Sequence, residues 1–254
     1  MRLVRYRARG GPAWGIVEGA EVRAVRGSVY DRPAHGPLAG AVDDLELLPP
    51  CEPTKVIGLA YNYKDLVGER ESYEEPLIFL KPPTSVIPST GAITLLPGLD
   101  AVWVEVEVAF VVRVGGRHIS PDAGAEHILG FTVANDVTAR NVHGRDHHLG
   151  RSKGLDTFCP VGRHLDTAID TSDLRLRTTI NGRLTQHGTT ANRILSDAEC
   201  LSLVSRFFTL APGDLILTGT PAGAMDSTVH PGDLAVLEVA GLGRLANPIV
   251  AAGG

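Results

Sequence analysis

Val102-Trp103-Val104-Glu105-Val106-Glu107-Val108-Ala109-Phe110-Val111-Val112 is rich in β-branched residues, and its middle alternates with period two. That pattern predicts a strand over 102–112. Side chains two positions apart share one face of a strand, about 6.5–7 Å apart along it. Glu105 and Glu107 therefore point to one side, and Val104, Val106 and Val108 to the other. Two carboxylates inside so apolar a segment are costly to bury without a partner. Either this is an edge strand whose glutamate face is wet, or a cation sits between the carboxylates. A hard divalent ion such as Mg²⁺ takes oxygen ligands of this kind.

Other short apolar runs flank this one. Lys55 to Ala60 and Pro76 to Lys81 read as strands, and Phe131 to Ala134 as a strand running into Asn135-Asp136. Arg2 to Arg7, Ala13 to Val17 and Val22 to Val25 are strands of a small N-terminal β domain over residues 1–50, leaving 51–254 as the main domain. Thr178 to Thr185 forms a hairpin on Asn181-Gly182. Two Pro-Gly-Asp turns lead into Leu215–Thr218 and Leu234–Val239. Ser120-Pro121-Asp122 predicts a helix over Pro121–Leu129, stopped by Gly130. Ser196 with Glu199 forms a capping box, opening a helix with Leu201, Val204, Phe207 and Phe208 on one face. Strands outnumber helices and β-α-β units are few. The expected class is mainly β (mixed α+β), largely antiparallel, with a few short helices.

Composition narrows the function. The chain has 254 residues, 43% of them apolar, which suits one full domain with a small appendage. Cys51, Cys159 and Cys200 are far apart and odd in number, so neither a disulfide framework nor a zinc pattern is expected. Their sparseness points to a reducing cytoplasm. The N-terminus lacks the apolar segment of a secretory signal, and no run approaches the roughly 20 apolar residues of a membrane helix. A net charge of −5 without a basic run argues against nucleic acid as a partner.

Asp136, at a strand end ahead of a polar loop, is by itself an ordinary turn or cap residue. Taken with Glu105 and Glu107 it becomes a third oxygen donor, in a site that leaves positions open for water and substrate.

Five segments, in this order, resemble the fumarylacetoacetate hydrolase family over residues 53–250: V-E-V-E-V-A-F-V-V (104–112), G-F-T-V-A-N-D-V-T-A-R (130–140), K-G-L-D-T-F-C-P-V-G (153–162), I-N-G-R-L-T-Q-H-G-T-T (180–190) and T-L-A-P-G-D-L-I-L-T-G-T-P-A-G (209–223). The resemblance implies a β-roll core, a homodimer, and Mg²⁺ (or Mn²⁺ or Ca²⁺) on Glu105, Glu107 and Asp136. It implies a small anionic substrate, a 2-oxo acid or 1,3-dicarbonyl acid. The implied reaction is C–C cleavage by a hydrolase or lyase through a metal-stabilised enolate. Decarboxylation or isomerisation of a 2-oxo dienedioate is the alternative, and a metal-binding but inactive homologue is the third reading. Lys153, otherwise a solvated surface lysine, matches the family's active-site lysine, which holds the anionic substrate. Thr220 would offer hydroxyl and backbone N–H donors to a substrate carboxylate. Gln186 reads as hairpin surface.

Two positions depart from the family pattern. Its loop commonly reads N-Y-x-x-H-x-x-E. Here Asn62-Tyr63 is followed by Leu66 where the histidine would fall, with Glu69 retained, while a gapless match on Tyr61 puts Lys64 at that place; neither alignment supplies a histidine. His143 stands where a glutamine often contacts substrate. Glu69 and His143 are therefore the candidates for proton transfer, His143 also for substrate binding, with His147 and His148 as further candidates.

Overall fold

The computed structural model describes residues 1–67, 75–140 and 146–253. Glu69 and His143 lie outside the described residues. The principal strands, in chain order, are β1 (Arg2–Ala8), β2 (Gly11–Glu18), β3 (Glu21–Arg26), β4 (Ala34–Ala41), β5 (Val56–Ala60), β6 (Leu77–Lys81), β7 (Val106–Val112), β8 (Ile128–Asn135), β9 (Leu165–Asp166), β10 (Arg175–Ile180), β11 (Arg183–Thr189), β12 (Leu215–Leu217), β13 (Leu234–Val239) and β14 (Gly243–Ala251). A large mixed sheet runs β4-β3-β2-β1-β9-β8-β7-β12-β5-β6. A smaller one runs β11-β10-β13-β14 and ends on Ile93–Leu95. Most pairings are antiparallel; β12 with β5, β14 with Ile93–Leu95, and Cys159–Val161 with Val86–Pro88 are parallel. The mainly-β expectation holds. The N-terminal strands join the large sheet where Arg2 and Leu3 on β1 pair with Asp166 and Leu165 on β9. Among the described residues, no helix is long and apolar enough to cross a membrane.

β7 lies between β8 and β12, and all its residues are buried. The wet-edge alternative for the glutamate face is thereby excluded. Val106 and Val108 pack into one core cluster with Leu176 and Leu237 of the smaller sheet. Phe110 and Val112 pack with Leu201 and Val204 of the helix Asp197–Phe207. On the opposite face, Ala109 and Val111 join Leu3, Ile16 and Leu217. Glu107 shares that face by the alternation of side chains.

The strand expected over 102–112 is broken. Val102–Trp103 belongs to a three-stranded sheet with Thr138–Ala139 and Thr228–Val229. At the crossing, the Val104 N–H donates to Ser227 O (3.2 Å) and the Glu105 N–H to Asn135 Oδ1 (3.1 Å). These partners remove both residues from the ladder. The helix expected over 121–129 shrinks to a 3₁₀ turn, Pro121–Ala123, and one α-turn, Gly124–His127. Ile128 onward is drawn into β8, where Val112 pairs with Ile128 and Val111 with Gly130. Sheet pairing overrides the local helix signal, and Gly130 is a strand residue, not a stop. The capping box at Ser196 and Glu199 forms as expected. Phe207 does not belong to the buried face; it is exposed beneath the Arg206 guanidinium.

Candidate active site

The register of β7 and β8 builds the site. Val106 opposes Asn135, so the residue after β8 lands beside the residue before β7. The Asp136 N–H donates to Glu105 O (3.0 Å). Ligand oxygens of Glu105, Glu107 and Asp136 all lie within 4.8 Å of one another. Glu107 and Asp136 are buried, and Glu105 is almost so.

Each carboxylate is held by donors, and Lys153 serves two of the three. Glu105 Oε1 accepts from Trp103 Nε1 (2.6 Å) and Thr138 Oγ1 (3.0 Å), and its Oε2 from Lys153 Nζ (3.0 Å). Glu107 Oε2 accepts from the Gly219 N–H (2.7 Å). Asp136 accepts from Lys81 on Oδ1 and from Lys153 on Oδ2. Lys153 ends the one-turn helix Gly150–Lys153, and its ammonium stands 4.8 Å from the Phe79 ring centroid. An ammonium over an aromatic face is attracted by the ring quadrupole.

These neighbours set the protonation pattern. Burial, reinforced by the charges of Asp136 and Glu105, pushes the Glu107 carboxyl well above its ordinary range. Glu105 is also raised, by burial first, with Lys153 opposing. For Asp136 burial acts upward, but Lys153 and Lys81 outweigh it and hold the carboxylate below its ordinary value. Lys153 is raised: burial opposes its charge, and Asp136 and Glu105 overcome that. Lys153 is thus a buried ammonium and not a solvated surface lysine.

Two buried residues escaped the sequence reading. Lys81 is 1% exposed and also donates to Val137 O (3.2 Å). It looked like the polar end of an apolar strand. Its only local signal was its two-residue spacing from buried Phe79. Gln186, expected at the surface, is instead 1% exposed. Its Nε2 donates to Thr220 Oγ1 and Pro221 O (both 2.8 Å), and its Oε1 accepts from Thr178 Oγ1 (3.1 Å). The Thr220 hydroxyl in turn donates to Val106 O (2.9 Å). That commits its proton and leaves the backbone N–H as the Thr220 donor for a bound anion. His147 and His148 are both exposed.

Comparison with known proteins fits this geometry. The profile of the family described as fumarylacetoacetate (FAA) hydrolase C-terminal matches residues 55–250. The chain belongs to the fumarylacetoacetate hydrolase family. A second profile, Rv2993c-like, N-terminal, matches residues 1–50. Protein Rv2993c of Mycobacterium tuberculosis is 34% identical over 265 residues, covering 100% of this chain and 99% of that one. The human mitochondrial oxaloacetate tautomerase FAHD2A is 35% identical over 218 residues, covering 80% of this chain and 69% of its own. Among solved structures, the 2-hydroxyhepta-2,4-diene-1,7-dioate isomerase of Mycobacterium marinum superposes with a TM-score of 0.89 at 35% identity, covering all of both chains. As an enzyme of the fumarylacetoacetate hydrolase family, the protein presents three clustered carboxylates and two buried ammonium groups at one end of β7 and β8.

The donor set fits a hard divalent ion. Three carboxylates against Lys81 and Lys153 leave one negative charge when all are ionised. Such an excess in a buried site is costly, and oxygen ligands suit Mg²⁺, Mn²⁺ or Ca²⁺.

Proposed function

We propose that this protein is a divalent-metal-dependent enzyme acting on a 2-oxo or 1,3-dicarbonyl acid by way of an enolate. Its reaction, in this reading, is the relocation of a proton on a 2-oxo dioate, a tautomerisation or isomerisation. One observation carries it: the oxygens of Glu105, Glu107 and Asp136 converge within 4.8 Å, with the Lys153 ammonium on two of the three. The isomerase and the tautomerase among the relatives are both named for proton relocations, which favours that class over C–C cleavage.

Glu105, Glu107 and Asp136 would hold the ion. When bound, it would act as a Lewis acid toward the carbonyl and carboxylate oxygens of the substrate. Lys153, raised and therefore charged, keeps Glu105 and Asp136 oriented and presents positive charge to an anionic substrate. Trp103 and Thr138 fix the Glu105 carboxylate, and Gly219 fixes Glu107. Such outer contacts commonly tune affinity 10–100-fold. Gln186 locks Thr220, whose backbone N–H is the proposed contact to the substrate carboxylate. Glu69 and His143 are proposed for the proton transfer, and the functional unit is proposed to be a homodimer.

The test is the enol–keto interconversion of oxaloacetate, followed by loss of the enol absorbance. Acceleration that disappears with EDTA, returns with Mg²⁺ and is lost in Glu105→Ala supports the proposal. No acceleration with Mg²⁺ or Mn²⁺ refutes it, and cleavage of an acylpyruvate in its place moves the assignment to hydrolysis.

A further inference from the structure

Away from the carboxylates, two cavities adjoin between the N-terminal strands and the β13–β14 hairpin. Their volumes are ≈ 580 and ≈ 470 Å³, and Arg2, His164, Gly243 and Arg244 line both. Neither is lined by Lys81, Glu105, Glu107, Asp136 or Lys153. The connection between the two regions is β8, where Phe131 pairs with Asp166. Five residues separate Phe131 from Asp136, about 17 Å of strand. The cleft is therefore distinct from the site described above.

The cleft is basic in a chain whose net charge is −5. Arg163 joins Arg2 and Arg244 in the first cavity, and Arg175 and Arg177 join them in the second. The sheet register explains the clustering. Arg177 opposes Glu238 on β13, and Glu238 opposes Arg244 on β14, so one acid lies between two guanidinium groups. Arg175 stands two residues from Arg177 and shares its face. The inward neighbours Leu176, Leu237, Val239 and Leu245 are buried in the core. Two arginines have acidic partners: Arg2 with Asp166 (3.6 Å) and Arg163 with Asp43 (3.1 Å). Both are loose or exposed pairs, with Asp43 89% exposed. Exposed pairs of this kind contribute little and are open to exchange for a better anion.

The interior of the cleft adds two independent signs. His164 Nε2 is enclosed and has no hydrogen-bond partner. Burial, then the positive field of Arg2, with Arg163 adding and Asp166 opposing, holds the His164 pKa down. An anion bound beside Arg2 and Arg163 would offset that positive field. The walls are aliphatic, with Val4, Val17, Val42, Leu47 and Leu242. Concave clefts of this size suit small molecules, whereas macromolecular partners use flatter surfaces.

We propose that this cleft is a second ligand site, for a small organic anion carrying at least two carboxylate or phosphate groups on a short apolar body. Guanidinium groups bind both oxyanions in bidentate fashion. Arg2, Arg175 and Arg177 supply the guanidinium groups of the wall, and Arg163 and Arg244 those of the rim.

The experiment is calorimetric titration of the full-length, Mg²⁺-loaded protein at low salt with glutarate, tricarballylate and inorganic phosphate. Comparison of the carboxylates with phosphate identifies the preferred oxyanion. At least one probe is expected to bind saturably below 1 mM, as an order of magnitude for a two-arginine site. Arg163→Ala and Arg244→Ala, both at exposed positions, should each weaken it about 10-fold or more. Glu107→Gln should leave it unchanged, which separates this site from the proposed metal chemistry. Four outcomes overturn the proposal. No probe binds; binding survives both arginine substitutions; binding is lost in Glu107→Gln; or the cleft proves to be a contact between copies, with Arg244→Glu splitting an oligomer in sedimentation while the unaltered protein binds no anion.

Discussion

Lys81 and Asp136, 55 residues apart in the chain, form an ion pair closed to solvent at the junction of β6 and β8, each only 1% exposed. The two partners are worth keeping together chiefly because either alone is costly. Removing one member of a buried pair typically destabilises a protein by about 3–5 kcal/mol. Lys153 still pairs Asp136, so Lys81→Met is expected to lower unfolding free energy in urea by less than that, about 1–3 kcal/mol. Adding Asp136→Asn should restore part of the loss, because it removes a buried carboxylate left with Lys153 alone as its cationic partner. Strictly additive losses in the double variant would show that the pair is not coupled.

Glu107 presents the reverse balance. Its carboxyl is buried against two others, and the Gly219 N–H and the more distant Lys153 charge are the groups that favour its ionised form. Glu107→Gln keeps the shape and removes the charge. The metal-free protein should lose no stability and should gain some at neutral pH, since burial and the neighbouring carboxylates disfavour the ionised Glu107 and a neutral amide avoids that cost. Mn²⁺ affinity should fall at least about 10-fold. Thermal unfolding in EDTA beside a Mn²⁺ titration reads both effects. A variant less stable without metal, yet unchanged in affinity, would contradict this assignment.

At the start of the helix Asp197–Phe207, Ser196 Oγ accepts from the Glu199 N–H (3.3 Å), while Glu199 Oε2 accepts from the Ser196 N–H (2.7 Å). The hydrogen bonds from Ser196 hold the Glu199 pKa below its ordinary value. A depressed carboxylate contributes stability above the unfolded pKa of about 4.3, and that contribution is lost as pH falls through the folded value. Ser196→Ala should cost about 1 kcal/mol at pH 7. The gap from the unaltered protein should narrow below about pH 4. Urea melts at pH 7 and pH 3 provide the comparison, and a gap that widens on acidification would refute the sign.

Local signals carried far in this chain. The capping box needs only residues 196–199, and the Asn181-Gly182 turn only its own two left-handed residues, so both were legible. The alternation around Glu107 correctly gave its face, because β7 is regular from Val106 onward. The break at Val104–Glu105 was not legible, since its cause is Ser227 and Asn135, far along the sequence. Lys81 and Gln186 were hidden for the same reason. A lysine ending an apolar run and a glutamine in a hairpin are solvated by default. Their burial is decided by Asp136 and Thr220, contacts 55 and 34 residues away.

Gly219 links backbone conformation to the carboxylate cluster. Its φ of +94° lies in the left-handed region, and its N–H donates to Glu107 Oε2 (2.7 Å). A Cβ there would stand 3.0 Å from Leu59 O and 3.1 Å from Asn62 Cβ. Asn62 has little room to yield, because its side chain donates to Thr218 O (2.9 Å) and accepts from the Leu195 N–H (2.9 Å). Gly219→Ala therefore combines a backbone penalty of about 1–2 kcal/mol with a shift of the N–H away from Glu107. Unfolding free energy should fall by about that amount. Metal affinity should weaken as well, because a donor that orients a proposed ligand is displaced. Alanine at the neighbouring Thr220 is the useful contrast: it removes a hydroxyl held by Val106 and Gln186 without demanding a left-handed backbone. If Gly219→Ala and Thr220→Ala weaken Mn²⁺ binding equally, the left-handed N–H is not what positions Glu107.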